Sequence, residues 1–342
     1  MTSAAILAPT GPRLSASEQA FLRAADPWGY ILFARNVENP EQLRRLTGDL
    51  RNAVGREAVI LIDQEGGRVQ RMRAPYWREW YPAADQVAQA GPTNAARSMW
   101  LRARLIAAEL RAVGIDGNCA PLADVARDTT HPILKNRLYG TSPKAVTGAA
   151  RAVARGLLAG GVLPVLKHLP GYGLAEVDSH LDLPRVKASR ATLSEIDFAA
   201  FRPLNDLPMG MTAHIALTEI AGPQAATLSP ELIRLIREDI GFDGLLMTDD
   251  ISMEALPGAL GARSAAALAA GCDLVLHCTG VMNEMAEVVA AAGDLDAASQ
   301  ARATRALAAR QAPEPLDIDA AEAELGSLLQ DKVYAGATTR SG

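Results

Sequence analysis

The sequence predicts an α/β protein folded as a single (β/α)8 barrel. Eight short apolar runs recur along the 342 residues, most of them ending in a charged or polar side chain. The segments between them are longer and carry a helical apolar period or a helix cap. No Pro/Gly/Ser-rich linker divides the chain before about Pro313. Continuous apolar strands alternating with helices imply a parallel sheet covered on both faces, and eight such repeats is the number that closes a barrel. A doubly wound open sheet is the alternative. One catalytic domain is expected over residues 1–312. An acidic segment with a short helix and a flexible polar tail is expected over 313–342.

Taken in order, the strands are expected at residues 4–8, 30–34, 58–63, 118–123, 162–168, 209–214, 244–249 and 273–277. Each is four to seven residues of mostly aliphatic side chains, too short for a helix of its own. Of the connecting helices, 99–113 places Leu101, Leu105, Ala108 and Ala112 on one face, with Arg102, Arg104, Glu109 and Arg111 elsewhere. Ser142-Pro143 and Ser229-Pro230 each supply a capping hydroxyl followed by proline in the first turn, and Gly160 and Gly241 end those two helices.

With 49% apolar and 21% charged residues the chain can bury a large core built mostly from Ala, Leu and Val. The net charge of -5 is spread along the sequence, which leaves no basic stripe for nucleic acid or an anionic membrane. Three cysteines without CxxC spacing, Cys119, Cys272 and Cys278, read as small buried side chains in a reducing compartment. The first residues lack the basic-then-apolar order of a signal peptide, and no run of about 18 uncharged apolar residues is present. A cytoplasmic, monomeric enzyme or binding protein is expected.

A closed barrel carries its chemistry at the carboxyl ends of its strands. Asp63, Lys167-His168, His214, Asp249-Asp250 and His277 all stand at such ends, and His180 lies in the loop after the fifth strand. A single aspartate there is usually a helix cap or turn former; the convergence of so many on one face favours a site. Two segments say more. In Ile62-Asp63-Gln64-Glu65-Gly66-Gly67-Arg68-Val69-Gln70-Arg71 the paired glycines permit a tight turn that aims Asp63 and Arg71 inward, against the plainer reading of a glycine turn with surface arginines. In Lys167-His168-Leu169-Pro170-Gly171-Tyr172-Gly173 followed by Asp178-Ser179-His180, the Asp178 carboxylate is placed to accept the imidazole Nδ1 proton of His180, or the two to form a metal pair.

With Thr248-Asp249-Asp250-Ile251-Ser252-Met253, these segments resemble the bacterial β-N-acetylglucosaminidases, or β-hexosaminidases, of glycoside hydrolase family 3, enzymes of peptidoglycan recycling. The resemblance extends through residues 118–124 and 135–140 and covers most of 1–310. It implies that Asp249 is the catalytic nucleophile and that His180, paired with Asp178, is the general acid/base. It further implies that Asp63, Arg71, Arg137, Lys167 and His168 hold the terminal sugar. His214, at its strand end, is read as a neighbour of Asp249 and counted with the substrate-binding residues. The implied substrate is a muropeptide fragment of GlcNAc linked to anhydro-N-acetylmuramic acid, and no metal or organic cofactor is implied. Tyr172 departs from the family pattern, which has a second histidine there. The departure bears on loop packing and substrate preference.

Phosphorolysis on the same fold is the nearest alternative, because a histidine acid/base removes a carboxylate that would repel phosphate. A metal-dependent barrel hydrolase is the next; the sequence has neither His-x-His nor HExxH. A non-catalytic sugar-binding barrel would need none of Asp249, His180 and Asp178. Tyr76, Trp77, Trp80 and Tyr81 are expected to pack beneath the third strand's loop, with a ring-stacking surface as the alternative. His131 reads as a loop residue, His277 as a core histidine, and Asp124 either borders the site or caps the next segment.

Overall fold

The structure is a computed structural model that describes residues 2–177, 179, 182–330, 332 and 334. Among these, eight parallel strands close into a barrel: β1 Ser3–Leu7, β2 Pro27–Leu32, β3 Val59–Ile62, β4 Gly117–Asn118, β5 Leu163–Leu169, β6 Met209–Thr212, β7 Leu245–Asp250 and β8 Leu274–His277. Neighbours in space are neighbours in sequence, with β8 pairing back onto β1. The barrel interior is filled by one side-chain phase of each strand, including Ile6, Ile31, Leu61, Val165, Met211, Met247 and Leu276. The other phase packs outward against helices that include α1 Ala16–Ala25, α2 Pro40–Val54, α3 Ala83–Ala112, α4 Pro143–Ala159, α5 Asp197–Phe201, α6 Pro230–Glu238, α7 Leu260–Ala270 and α8 Met282–Ala292.

The capping expectations hold: the Ser142 hydroxyl accepts from the Ala145 N–H and that of Ser229 from the Leu232 N–H. The polar face expected on α3 does not. Arg102 and Arg104 are each 2% exposed, whereas Ala112 is exposed. Arg102 reaches the Gln86 side chain at 2.6 Å and the backbone carbonyls of Glu65 and Tyr81, and Arg104 reaches the Glu314 carbonyl at 2.8 Å. A buried guanidinium is tolerated because it donates to fixed oxygens, a partner set that no helical period reveals.

The acidic segment after 312 forms the expected short helix, which is docked onto the rest of the chain. Helices α9 Ala297–Ala308 and α10 Ile318–Leu328 follow the barrel, and α10 lies against α3. There Leu325 and Leu329 are buried, Arg97 pairs with Glu324 at 2.6 Å, and Arg78 pairs with Glu322. Tyr334 stands edge-on to Trp80 at 5.2 Å between ring centroids. Of the acidic residues here, Glu322 and Glu324 are ion-pair partners of α3 and its approach, beside the two leucines that the helix buries. Residues 335–342 lie outside the described residues.

Candidate active site

Strand phase decides what faces the barrel mouth. Side chains alternate with a period of two, so two residues beyond the interior-filling Ile31, Leu61, Val165, Met247 and Leu276 come Phe33, Asp63, Lys167, Asp249 and Cys278. All five line one cavity of about 250 Å³ at the carboxyl ends of the strands, together with Arg71, Arg137 and His168. The same count sets Asp250 out of phase with Asp249. Its carboxylate accepts from the Ser252 hydroxyl at 2.6 Å and from the Cys278 N–H at 3.2 Å.

The side of the cavity built from β3 to β5 is polar. The Gln64–Gly66 and Val69–Gln70 segments pair as a small antiparallel hairpin whose turn uses Gly66 at φ 105° and Gly67 at φ 58°. A Cβ on Gly66 would also stand 2.8 Å from that of Trp80, so the turn needs glycine for both conformation and space. It returns Arg71 over Asp63, Nη2 to Oδ2 3.0 Å, with the guanidinium 5.2 Å from the Phe33 ring centroid. Lys167 Nζ lies 3.1 Å from Asp63 Oδ1 and 2.8 Å from Glu65 Oε1, and Arg137 grips Glu65 through Nε at 2.9 Å and Nη2 at 2.8 Å.

This chain of alternating charge keeps every member ionised. Burial alone would raise the Asp63 carboxyl, yet Lys167 and Arg71 hold it well below the usual carboxylate range. Glu65 is likewise buried and is held down to about 2 by Arg137 and Lys167. Burial disfavours the Lys167 ammonium, and Glu65 and Asp63 outweigh that and push its pKa above the ordinary lysine value. His168 joins the same side, its peptide with Lys167 cis and its Nδ1 2.8 Å from Asp124 Oδ2. Asp124 also accepts the Tyr172 N–H at 2.7 Å, so it borders the site and ties strand to loop.

The side built from β6 to β8 carries Met211, Ala213, Met253, Leu276 and Cys278 with two acids, Asp249 and Asp250, of which Asp249 continues the inward strand phase. Burial works to raise the Asp249 carboxyl; His214, His168 and the Asp250 N–H, 2.8 Å from Oδ1, outweigh it and hold the pKa below the ordinary value. His214 is not part of the cavity wall, contrary to the expectation that it contacts sugar. It is 1% exposed, its Nε2 donates to the Asp250 carbonyl at 2.9 Å, and its Nδ1 lies 2.8 Å from the Thr227 hydroxyl. Burial depresses the His214 pKa despite Asp249. A neutral imidazole with both nitrogens engaged anchors the peptide that carries the nucleophile candidate.

Asp63, Arg71, Arg137, Lys167, His168 and Asp249 thus come together around one cavity. Asp178 and His180 lie outside the described residues; Ser179 between them lines the cavity. Glu65 carried no role in the sequence reading, although it stands two residues from Asp63 in the same motif, the spacing that shares a face. Trp77 and Trp80 are buried, Tyr76 is exposed, and none of the four clustered aromatics lines the cavity, which is the packing reading for the two tryptophans. His277 is buried with Nε2 3.2 Å from Glu284, and Cys278, read as core, faces the cavity. Among the described residues no three His, Cys, Asp or Glu side chains gather as a metal ion requires, and no helix is long and apolar enough to cross a membrane.

The family model for the glycosyl hydrolase family 3 N-terminal domain matches residues 5–308. A β-hexosaminidase of Alkalilimnicola ehrlichii is 38% identical over 276 residues, 78% of this chain and 78% of that one. One from Neisseria meningitidis serogroup B is 36% identical over 272 residues, 77% of this chain and 74% of that one. Among solved structures, NagZ from Neisseria gonorrhoeae in complex with N-trifluoroacetyl-D-glucosamine aligns with a TM-score of 0.85 at 30% identity, over 96% of this chain and 98% of that one.

Proposed function

We propose that this chain, which belongs to glycosyl hydrolase family 3 and is a β-N-acetylhexosaminidase, removes terminal N-acetylglucosamine from peptidoglycan fragments in the cytoplasm with retention of anomeric configuration. The observation that carries the reading is Asp249: a half-buried carboxylate kept ionised at the barrel mouth, facing a wall of charged groups suited to sugar hydroxyls. Asp249 attacks the anomeric carbon, forming a glycosyl ester as the bond to the leaving oxygen breaks. His180 gives that oxygen its proton, with Asp178 orienting the ring. In the second step His180 takes a proton from water, whose oxygen displaces the Asp249 carboxylate.

Asp63 and His168 accept or donate to hydroxyls of the terminal ring, and Lys167, Arg71 and Arg137 supply donors beside them. A preformed ion network suits this task because its groups do not reorganise as charge develops at the anomeric carbon. Trapping with a 2-deoxy-2-fluoro glycoside followed by peptide mass spectrometry is expected to place the label on Asp249; label on Asp250 overturns the assignment. Aryl β-N-acetylglucosaminides are expected to be cleaved in preference to plain β-glucosides, and cleavage of the glucoside alone overturns the specificity. Release of sugar 1-phosphate in phosphate buffer, where free sugar is expected, identifies a phosphorylase.

A further inference from the structure

The loop after β5 contains a side chain that no step above uses. Tyr172 is 6% exposed, and three parts of it are engaged. Its N–H donates to Asp124 Oδ1 at 2.7 Å, its ring lies 5.6 Å from the ring of His168, and its phenolic oxygen accepts the Ser179 N–H at 3.1 Å. Asp124 in turn holds His168 Nδ1 at 2.8 Å. One buried side chain therefore joins the sugar-facing His168–Asp124 pair to Ser179, itself buried at the cavity wall.

We infer that Tyr172 is a positioning residue that ties the Ser179 backbone to the His168 side of the sugar site through its phenol oxygen. The inference rests on the proposed function, in which the acid/base is the residue after Ser179. The chemistry favours a phenol for such a task. A phenol oxygen accepts an N–H at the far end of a long, rigid side chain. An imidazole is shorter, so its ring nitrogen falls short of the Ser179 N–H that the phenol oxygen meets at 3.1 Å. The Tyr172 hydroxyl is the atom the inference isolates, since Phe keeps the ring against His168 and the backbone bond to Asp124.

The experiment compares Tyr172→Phe, Tyr172→His and His180→Ala on 4-nitrophenyl β-N-acetylglucosaminide and on a GlcNAc-terminated disaccharide, from pH 5 to 8.5, with a melting curve for each variant. A misplaced acid matters most when the leaving group needs its proton. Tyr172→Phe is expected to lower kcat on the disaccharide about fivefold, the worth of one net hydrogen bond, and on the aryl glycoside less than twofold. Tyr172→His is expected to lose disaccharide kcat as Tyr172→Phe does, because its ring nitrogen falls short of the Ser179 N–H that the phenol oxygen reaches. Equal losses on both substrates, as from a merely structural role, overturn the inference, and so does a Tyr172→His protein with wild-type kcat on the disaccharide. His180→Ala reads the acid/base assignment separately: if it spares the aryl glycoside while Tyr172→Phe leaves both substrates untouched, the inference falls and the proposed function stands. If His180→Ala lacks the leaving-group signature, the acid/base assignment falls and takes the inference with it.

Discussion

Glu65 does not itself line the cavity but holds two residues that do, Arg137 and Lys167, so replacing it by Gln is expected to damage both stability and sugar binding. Its carboxyl falls from an ordinary 4.5 to about 2 in the folded chain, held by Arg137 and Lys167 after burial is overcome. At about 1.4 kcal/mol per pH unit, this depression corresponds to about 3 kcal/mol gained by the ionised over the protonated form. Gln has the shape and hydrogen-bonding capacity of the protonated acid, so Glu65→Gln at pH 7 is expected to lose about 3 kcal/mol. The sign follows from the lowered folded pKa. The contribution is complete above about pH 4.5 and is lost as pH falls toward about 2, so the stability of Glu65→Gln and wild type should converge in that window. Urea denaturation at pH 7 and again near pH 3 measures both. Freed from Glu65, Arg137 keeps none of its ion-pair partners among the described residues and Lys167 keeps Asp63 alone. A fall in kcat/KM of about tenfold or more, chiefly through KM, is therefore expected. A Glu65→Gln protein within about 0.5 kcal/mol of wild type at pH 7, with unchanged KM, refutes the reasoning.

Asp63→Ala is expected to cut kcat/KM at least about a hundredfold, because it removes a hydroxyl acceptor and the ion-pair partner of Arg71 and leaves Lys167 with Glu65 alone; unchanged kinetics place Asp63 outside the reaction. Ending the chain after residue 312 removes Leu325 and Leu329, both buried against the barrel, and at about 2 kcal/mol for each leucine the loss is about 4 kcal/mol. A lowered melting temperature with kcat retained below it is expected; an unchanged melting temperature shows that α10 contributes nothing to stability.

The sequence by itself determined the architecture and most of the charged side chains that line the cavity. Strand number, strand phase and caps are local properties. Once Leu61, Val165 and Met247 are assigned to the interior, the period of two carries Asp63, Lys167 and Asp249 to the barrel mouth without further information. The long motifs made the same residues recognisable as a family's. What the tertiary structure alone decided is which polar groups stand behind them. Arg102 and Arg104 read as a solvated helix face and are buried, because their oxygens come from Glu65, Tyr81 and Glu314, which are distant in sequence. His214 stands at a strand end like the groups that line the cavity, but the carbonyl of Asp250 and the hydroxyl of Thr227 draw its ring beneath the floor. Glu65 shares its spacing with Asp63 and Asp124 follows a strand, but neither pattern names a partner; Glu65 acquires its role from Arg137 and Lys167, and Asp124 from His168 and Tyr172. A periodic pattern reports which way a side chain points, whereas the partner of a buried charge is set by contacts between elements far apart in the chain, and those exist only in the folded barrel.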